Sequence, residues 1–314
     1  MIKPLRFAAA LALSLTLPAL SQAQQGAAYT VAETGQGYAR LQDAVNAIGA
    51  GTGTIRIASG RHAQCAVQQD GEVTFVAAVN GQAVFDGVTC EGKAALVLRG
   101  RSARVEGLVF ANMAVPDFNG AGIRLERGNL TVSQAWFRDS QQGILAGEDK
   151  AATIAIDKST FTRLGTCEGP GGCAHSVYIG EYGTTHVTRT RFEAGRGGHY
   201  LKSRAARVEV LNSSFDDTAG KATNYMIDLP GGATGRIAGN WFVQGADKEN
   251  HSAFITVAPE GRQHDSSGLV IDGNDARFAP AVTWPSVFVA DWSGEANRLG
   301  TNRLAAKLKP YEKR

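Results

Sequence analysis

Six strand-like segments of this 314-residue chain end in phenylalanine at nearly regular intervals, and that period constrains the fold most. They are ARVEGLVF ending at Phe110, LTVSQAWF at Phe137, TIAIDKSTF at Phe161, HVTRTRF at Phe192, RVEVLNSSF at Phe215 and GRIAGNWF at Phe242, spaced 27, 24, 31, 23 and 27 residues apart. Between them recurs a second run: GIRLE, GILAG, HSVYIG, GHYLKS, NYMIDL and SAFITV. Repeats of this length, with short strands and Gly, Asn or Asp at the corners, are what a β-solenoid requires. One coil cannot bury its own inward residues, whereas coils stacked about 4.8 Å apart bury a continuous column of Phe, Ile, Leu and Val. A β-propeller blade needs about 40–45 residues and four strands, more than these intervals supply. The expected class is all-β, with LQDAVNAI (Leu41, Ala44, Val45 and Ile48 at helical spacing) as a short helix before the first coil.

The N-terminus has the form of an export signal: Lys3 and Arg6, the apolar run AAALALSLTLPAL, and the small-x-small site Ser21-Gln22-Ala23. The run is too short for a membrane span. The expected organisation is therefore residues 1–23 as signal, 24–300 as one solenoid domain and 301–314 as a polar, loosely draped tail. Removing 1–23 takes away two cations and no acid, so the formal charge of +3 falls to about +1. A near-neutral chain argues against a nucleic-acid partner. The cations are uneven, however: Arg189, Arg191, Arg196, Lys202, Arg204 and Arg207 stand against Glu193 and Glu209, an excess that suits an anionic ligand. Four cysteines in the exported portion point to disulfides, paired Cys65 with Cys90 and Cys167 with Cys173. The second pair closes the Gly-rich loop CEGPGGC. A secreted or periplasmic location and a monomer are expected.

The repeat pattern from Tyr29 to Asp291 resembles the right-handed parallel β-helix superfamily of pectate lyases and related polysaccharide enzymes, with LQDAVNAI similar to that group's N-terminal capping helix. The stretch YLKSRAARVEVLNSSFDDTAG…IDLPGG…GRIAGNWF is similar to the corresponding region of the chondroitinase B and alginate lyase family. Lys202-Ser203 matches that family's Lys-Ser pair, whose lysine is the proton-abstracting base. The family's catalytic arginine falls near Asp228-Leu229-Pro230-Gly231, where this chain has no arginine. The resemblance implies an acidic polysaccharide as partner. No cofactor is demanded, and calcium is the one left open.

Aligning the second runs puts Ile179, Leu201, Ile227 and Ile255 in one inward column. The outward columns are then Tyr178, Tyr200, Met226 and Phe254, and Gly180, Lys202, Asp228 and Thr256. A one-residue slip would invert this register. The candidate catalytic set is Lys202, Arg204, Tyr200, Asp228 and His199. Tyr178, His175, Arg191, Trp136 and Trp241 are candidate substrate contacts, the two tryptophans as sugar platforms. β-Elimination from a uronic acid needs a cation on the carboxylate, a base at C5 and an acid for the departing oxygen. Hydrolysis would instead need two carboxylates, drawn from Asp216, Asp217, Asp228 and Glu181. A Lys202–Asp228 ladder pair that only stabilises the coil carries equal weight. The favoured activity is lyase-type cleavage or C5 epimerisation. The rival is a non-catalytic glycan-binding or surface-structural β-helix.

Overall fold

The computed structural model describes residues 26–314, so the expected signal segment 1–23 lies outside the described residues. Strands recur in threes and stack into one 12-stranded and two 10-stranded sheets, in which, from Thr52–Ile57 onward, hydrogen-bonded neighbours are every third strand of the chain. The strand pairs are parallel, except that Tyr29–Val31 runs antiparallel to both Gln36–Tyr38 and Thr52–Ile57. The chain is thus an all-β parallel β-solenoid. The one helix among the described residues, Leu41–Ile48, buries Leu41, Ala44 and Val45 against the first strands. Among the described residues no helix is long and apolar enough to cross a membrane.

One 10-stranded sheet carries the phenylalanines. Phe110, Phe137, Phe161, Phe192, Phe215 and Phe242 are fully buried and stack with ring centroids 4.7–5.0 Å apart. The stack extends one rung earlier, to Phe85 at 5.6 Å from Phe110. Entry to each of these strands turns on a residue three before the phenylalanine with positive φ: Gly107, Gln134, Lys158, Arg189, Asn212 and Gly239. The residue after that turn caps the corner. Ser159 Oγ accepts the Ala135 N–H (3.2 Å), Ser213 Oγ that of Thr190 (3.1 Å), and Asn240 Oδ1 that of Ser213 (2.9 Å). A buried corner N–H without such a partner would cost about 1–3 kcal/mol.

Both expected disulfides, Cys65–Cys90 and Cys167–Cys173, are formed. The expected loose tail is not observed. Arg303–Leu304 and Leu308–Lys313 pair in parallel with Asp275–Phe278 and Ser286–Asp291 and complete the two 10-stranded sheets. Leu308 is buried and Leu304 and Tyr311 pack on the core, so three apolar residues outweigh the surrounding charge.

Candidate functional site

The second 10-stranded sheet, hereafter the lysine sheet, holds most of the sequence-predicted site. Its true inward column is Val177, Leu201, Ile227 and Ile255, and its outward column is Tyr178, Lys202, Asp228 and Thr256. The facing of Lys202 and Asp228 is as expected. Tyr178, however, pairs with Lys202, which moves the Val177–Ile179 strand two residues from the expected register.

The expected outward column of Tyr178, Tyr200, Met226 and Phe254 is wrong, and the reason is steric. Tyr200, Met226 and Phe254 are buried, although each directly precedes a buried aliphatic residue. Alternation breaks where these strands begin, and two consecutive positions there point inward. In earlier turns the first of them is glycine: a Cβ on Gly122 would meet Phe137 at 2.7 Å, and one on Gly143 would meet Phe161 at 2.8 Å. Where the interior has room, Tyr200 fills it. Its hydroxyl donates to Asp217 Oδ1 (2.7 Å) and accepts the Gly195 N–H (3.0 Å). Burial, then the Asp217 charge, pushes its pKa well above the ordinary phenol value. Tyr200 is therefore a core residue, not a catalytic one.

The remaining groups converge. Lys202 Nζ lies 3.4 Å from Asp228 Oδ2 and 2.7 Å from Glu260 Oε1. Arg204 binds the other Glu260 oxygen through Nη2 and donates from Nε to the Tyr178 hydroxyl (3.0 Å). The Lys202 ammonium is 5.8 Å from the Tyr178 ring centroid. Asp228 is buried and accepts from Thr256 Oγ1 (2.7 Å). Burial raises its pKa, partly offset by Lys202 and Thr256. For Glu260 burial acts upward, but hydrogen bonds from Lys202 and Arg204 prevail and hold it at about 2.

Behind this face two histidine rings lie 4.8 Å apart. His199 is buried, its Nε2 is 3.4 Å from Asp228 Oδ2, and its Nδ1 has no partner. Burial, with Lys202 and Lys248 nearby, holds its pKa down at about 3, so it supports the site without exchanging protons near neutral pH. Burial, then His199 and Lys202, places His175 well below the usual imidazole range. Its Nδ1 accepts the His199 backbone N–H (3.0 Å), so the neutral ring carries its proton on Nε2. His175, Tyr178 and Lys202 line one side of a cavity of about 250 Å³, and Asp117–Asn119 and Gly171–Cys173 line the other. The Cys167–Cys173 loop is thus a wall of the site.

Three expected contacts lie elsewhere. Trp136, Arg191 and Trp241 share an outward column of the phenylalanine sheet, linked through Thr160 and Ser214. Trp136 and Trp241 are 42% and 38% exposed, and Arg191 is paired with Glu193 (2.5 Å). They form a separate face of the solenoid. The carboxylates considered for hydrolysis are not assembled either. Asp217 is sealed in the core against Lys248, and Glu181 is paired with Lys150 at 2.7 Å. The one metal-compatible group among the described residues is Cys167, Cys173 and Glu249, and a disulfide already takes both thiols. The sequence reading missed Glu260 because it lies 58 residues from Lys202 in a corner loop with no periodic signal.

No family model matches the chain, and no curated protein matches it. Two solved structures are similar. The Streptococcus pneumoniae surface protein and adhesin PfbA gives a TM-score of 0.40 at 11% identity over 87% of this chain and 94% of that one. ORF18 of Geobacillus virus E2 gives 0.38 at 14% identity over 87% of this chain and 56% of that one. These likenesses concern the path of the chain and carry nothing about function.

Proposed function

We propose that this protein is an exported β-helix that handles an acidic polysaccharide on the lysine sheet, by lyase-type β-elimination or C5 epimerisation of a uronic acid. The observation that carries this reading is the pair of cations, Lys202 and Arg204, that clasp one carboxylate beside Tyr178, with Lys202 and Tyr178 also lining a cavity. Two disulfides fit an oxidising compartment, secreted or periplasmic.

A uronate carboxylate seated between Lys202 and Arg204 would be neutralised, which acidifies the C5 proton. Removal of that proton puts the electron pair on the carboxylate as an enediolate. Expulsion of the C4 oxygen then gives the unsaturated lyase product, and return of a proton to the opposite face gives the epimer. The resemblance assigned the base to Lys202. With Asp228 on one side and Glu260 on the other, Lys202 is better placed as the neutralising cation. Tyr178, whose oxygen accepts a hydrogen bond from Arg204, is the better-placed proton acceptor once its own hydroxyl proton has passed to solvent. The His175 Nε2–H supplies a donor at the cavity wall. A non-catalytic glycan binder is the second reading, favoured by the two carboxylates already on Lys202.

A panel of polyuronates tests this. Absorbance from unsaturated products marks a lyase, and C5 deuterium incorporation in heavy water without cleavage marks an epimerase. Binding with neither marks the binder, and no interaction with any acidic polysaccharide defeats the proposal.

A further inference from the structure

We infer that Glu260 is a built-in stand-in for the substrate carboxylate, which an acidic glycan must displace to reach Lys202 and Arg204. This inference rests on the function proposed above and concerns regulation of the same site.

Glu260 puts one oxygen on the Lys202 ammonium and the other on the Arg204 guanidinium, as a bound uronate would. The two cations are the more enclosed partners: their side chains are 11% and 19% exposed, whereas that of Glu260 is 45% exposed. Each cation has a second anchor that survives without Glu260, Asp228 for Lys202 and the Tyr178 hydroxyl for Arg204. The glutamate has no other ion-pair partner among the described residues. Its backbone is tied independently of its side chain. The Glu260 N–H donates to the Pro230 carbonyl (3.1 Å), the Gly261 N–H to that of Ala258 (3.1 Å), and the Gln263 and His264 N–H groups to that of Gly231 (2.8 and 2.9 Å). A side-chain rotation alone would therefore uncover the cations.

Charge sets what replaces it. With Glu260 in place, two cations meet two carboxylates and an incoming anion gains little. With Glu260 swung out, Lys202 and Arg204 face Asp228 alone, and one negative charge restores neutrality. A single carboxylate per sugar fits that demand, and a methyl-esterified sugar does not. If the closed rotamer is populated about 90–99% of the time, apparent affinity is reduced about 10–100-fold.

The test measures binding of D-glucuronate, oligogalacturonate, its methyl ester and acetate to wild type, Glu260→Gln and Glu260→Ala. The alanine variant guards against an amide that stays on the cations. The expected result is a gain of about tenfold or more for the free acids in at least Glu260→Ala, with the ester unchanged. Equal or weaker binding of the free acids by both variants would overturn the inference and make Glu260 part of the binding surface. An equal gain for the ester would also overturn it, since release of charge would not be the cause. Variants that gain acetate affinity but bind no uronate would leave the displacement standing and remove the acidic-glycan reading. Uronate binding that is equal in all three proteins would do the reverse. No binding of any carboxylate by any of the three would overturn both.

Discussion

Two lysine–aspartate pairs of the solenoid have opposite characters. Asp217 and Lys248 lie 3.1 Å apart with both side chains at most 1% exposed. Asp217 also receives Tyr200, Thr223 and the Gly245 N–H, and Lys248 Nζ donates to the Asn224 carbonyl, so the pair is closed on itself. Burial lowers the Lys248 pKa, offset by Asp217. Lys202 and Asp228 use the same residue types at 3.4 Å, but the lysine opens onto a cavity and holds a second carboxylate from a neighbouring loop. The sealed pair has no access for a ligand. The open pair has a spare bond to exchange. Residue type does not distinguish them; the solvent side of the lysine does.

The largest effect that would sharpen this contrast is on stability. Asp217→Ala leaves Lys248 buried without its anion and should cost about 3–5 kcal/mol in denaturant unfolding. A cost under 1 kcal/mol would show that the sealed pair is not structural. Gly143→Ala should come next, at about 1–3 kcal/mol, because the added methyl meets the Phe161 ring at 2.8 Å. Near-native stability there would mean that the phenylalanine stack yields easily.

These two positions also show how far the sequence could be read. The phenylalanine period was enough for the solenoid and the stack, because a repeated apolar residue has one way to be buried. Lys202 and Asp228 were legible because they sit at equivalent points of successive repeats. Tyr200 was misread because simple alternation fails where these strands begin, at the positions that Gly122 and Gly143 take in earlier turns. Lys248 and Glu260 were not legible: each reaches its partner from a loop, and loops carry no register. The tail was misjudged because its charges mask the buried Leu308.

The histidines give a pH-dependent comparison. His199 is held at about 3 in the folded chain, against about 6.5 when unfolded. The unfolded chain therefore takes up its proton first on acidification. The stability that neutral His199 contributes is present above about pH 6.5 and is lost as the pH falls toward 3. Between pH 7 and pH 5 this amounts to about 1–2 kcal/mol. His199→Gln should remove that slope, read as the difference between the two unfolding profiles. Asp228, with its raised pKa, works in the opposite direction and is common to both proteins. Parallel profiles would contradict the burial argument.

Lys202→Met should have the smallest effect on stability, about 1–2 kcal/mol, because Asp228 keeps its bond from Thr256. A cost as large as that of Asp217→Ala would make the two pairs alike and remove the contrast.

The central claim is that the open pair marks a carboxylate-binding site on the lysine sheet, and the most direct measurement is polyuronate binding by wild type and Lys202→Met, both shown folded by circular dichroism. Wild type should bind at least one polyuronate with an affinity that falls as salt rises, and Lys202→Met should lose that binding while it keeps the fold. Undiminished binding by the folded variant, or no polyuronate binding by wild type, would contradict the account.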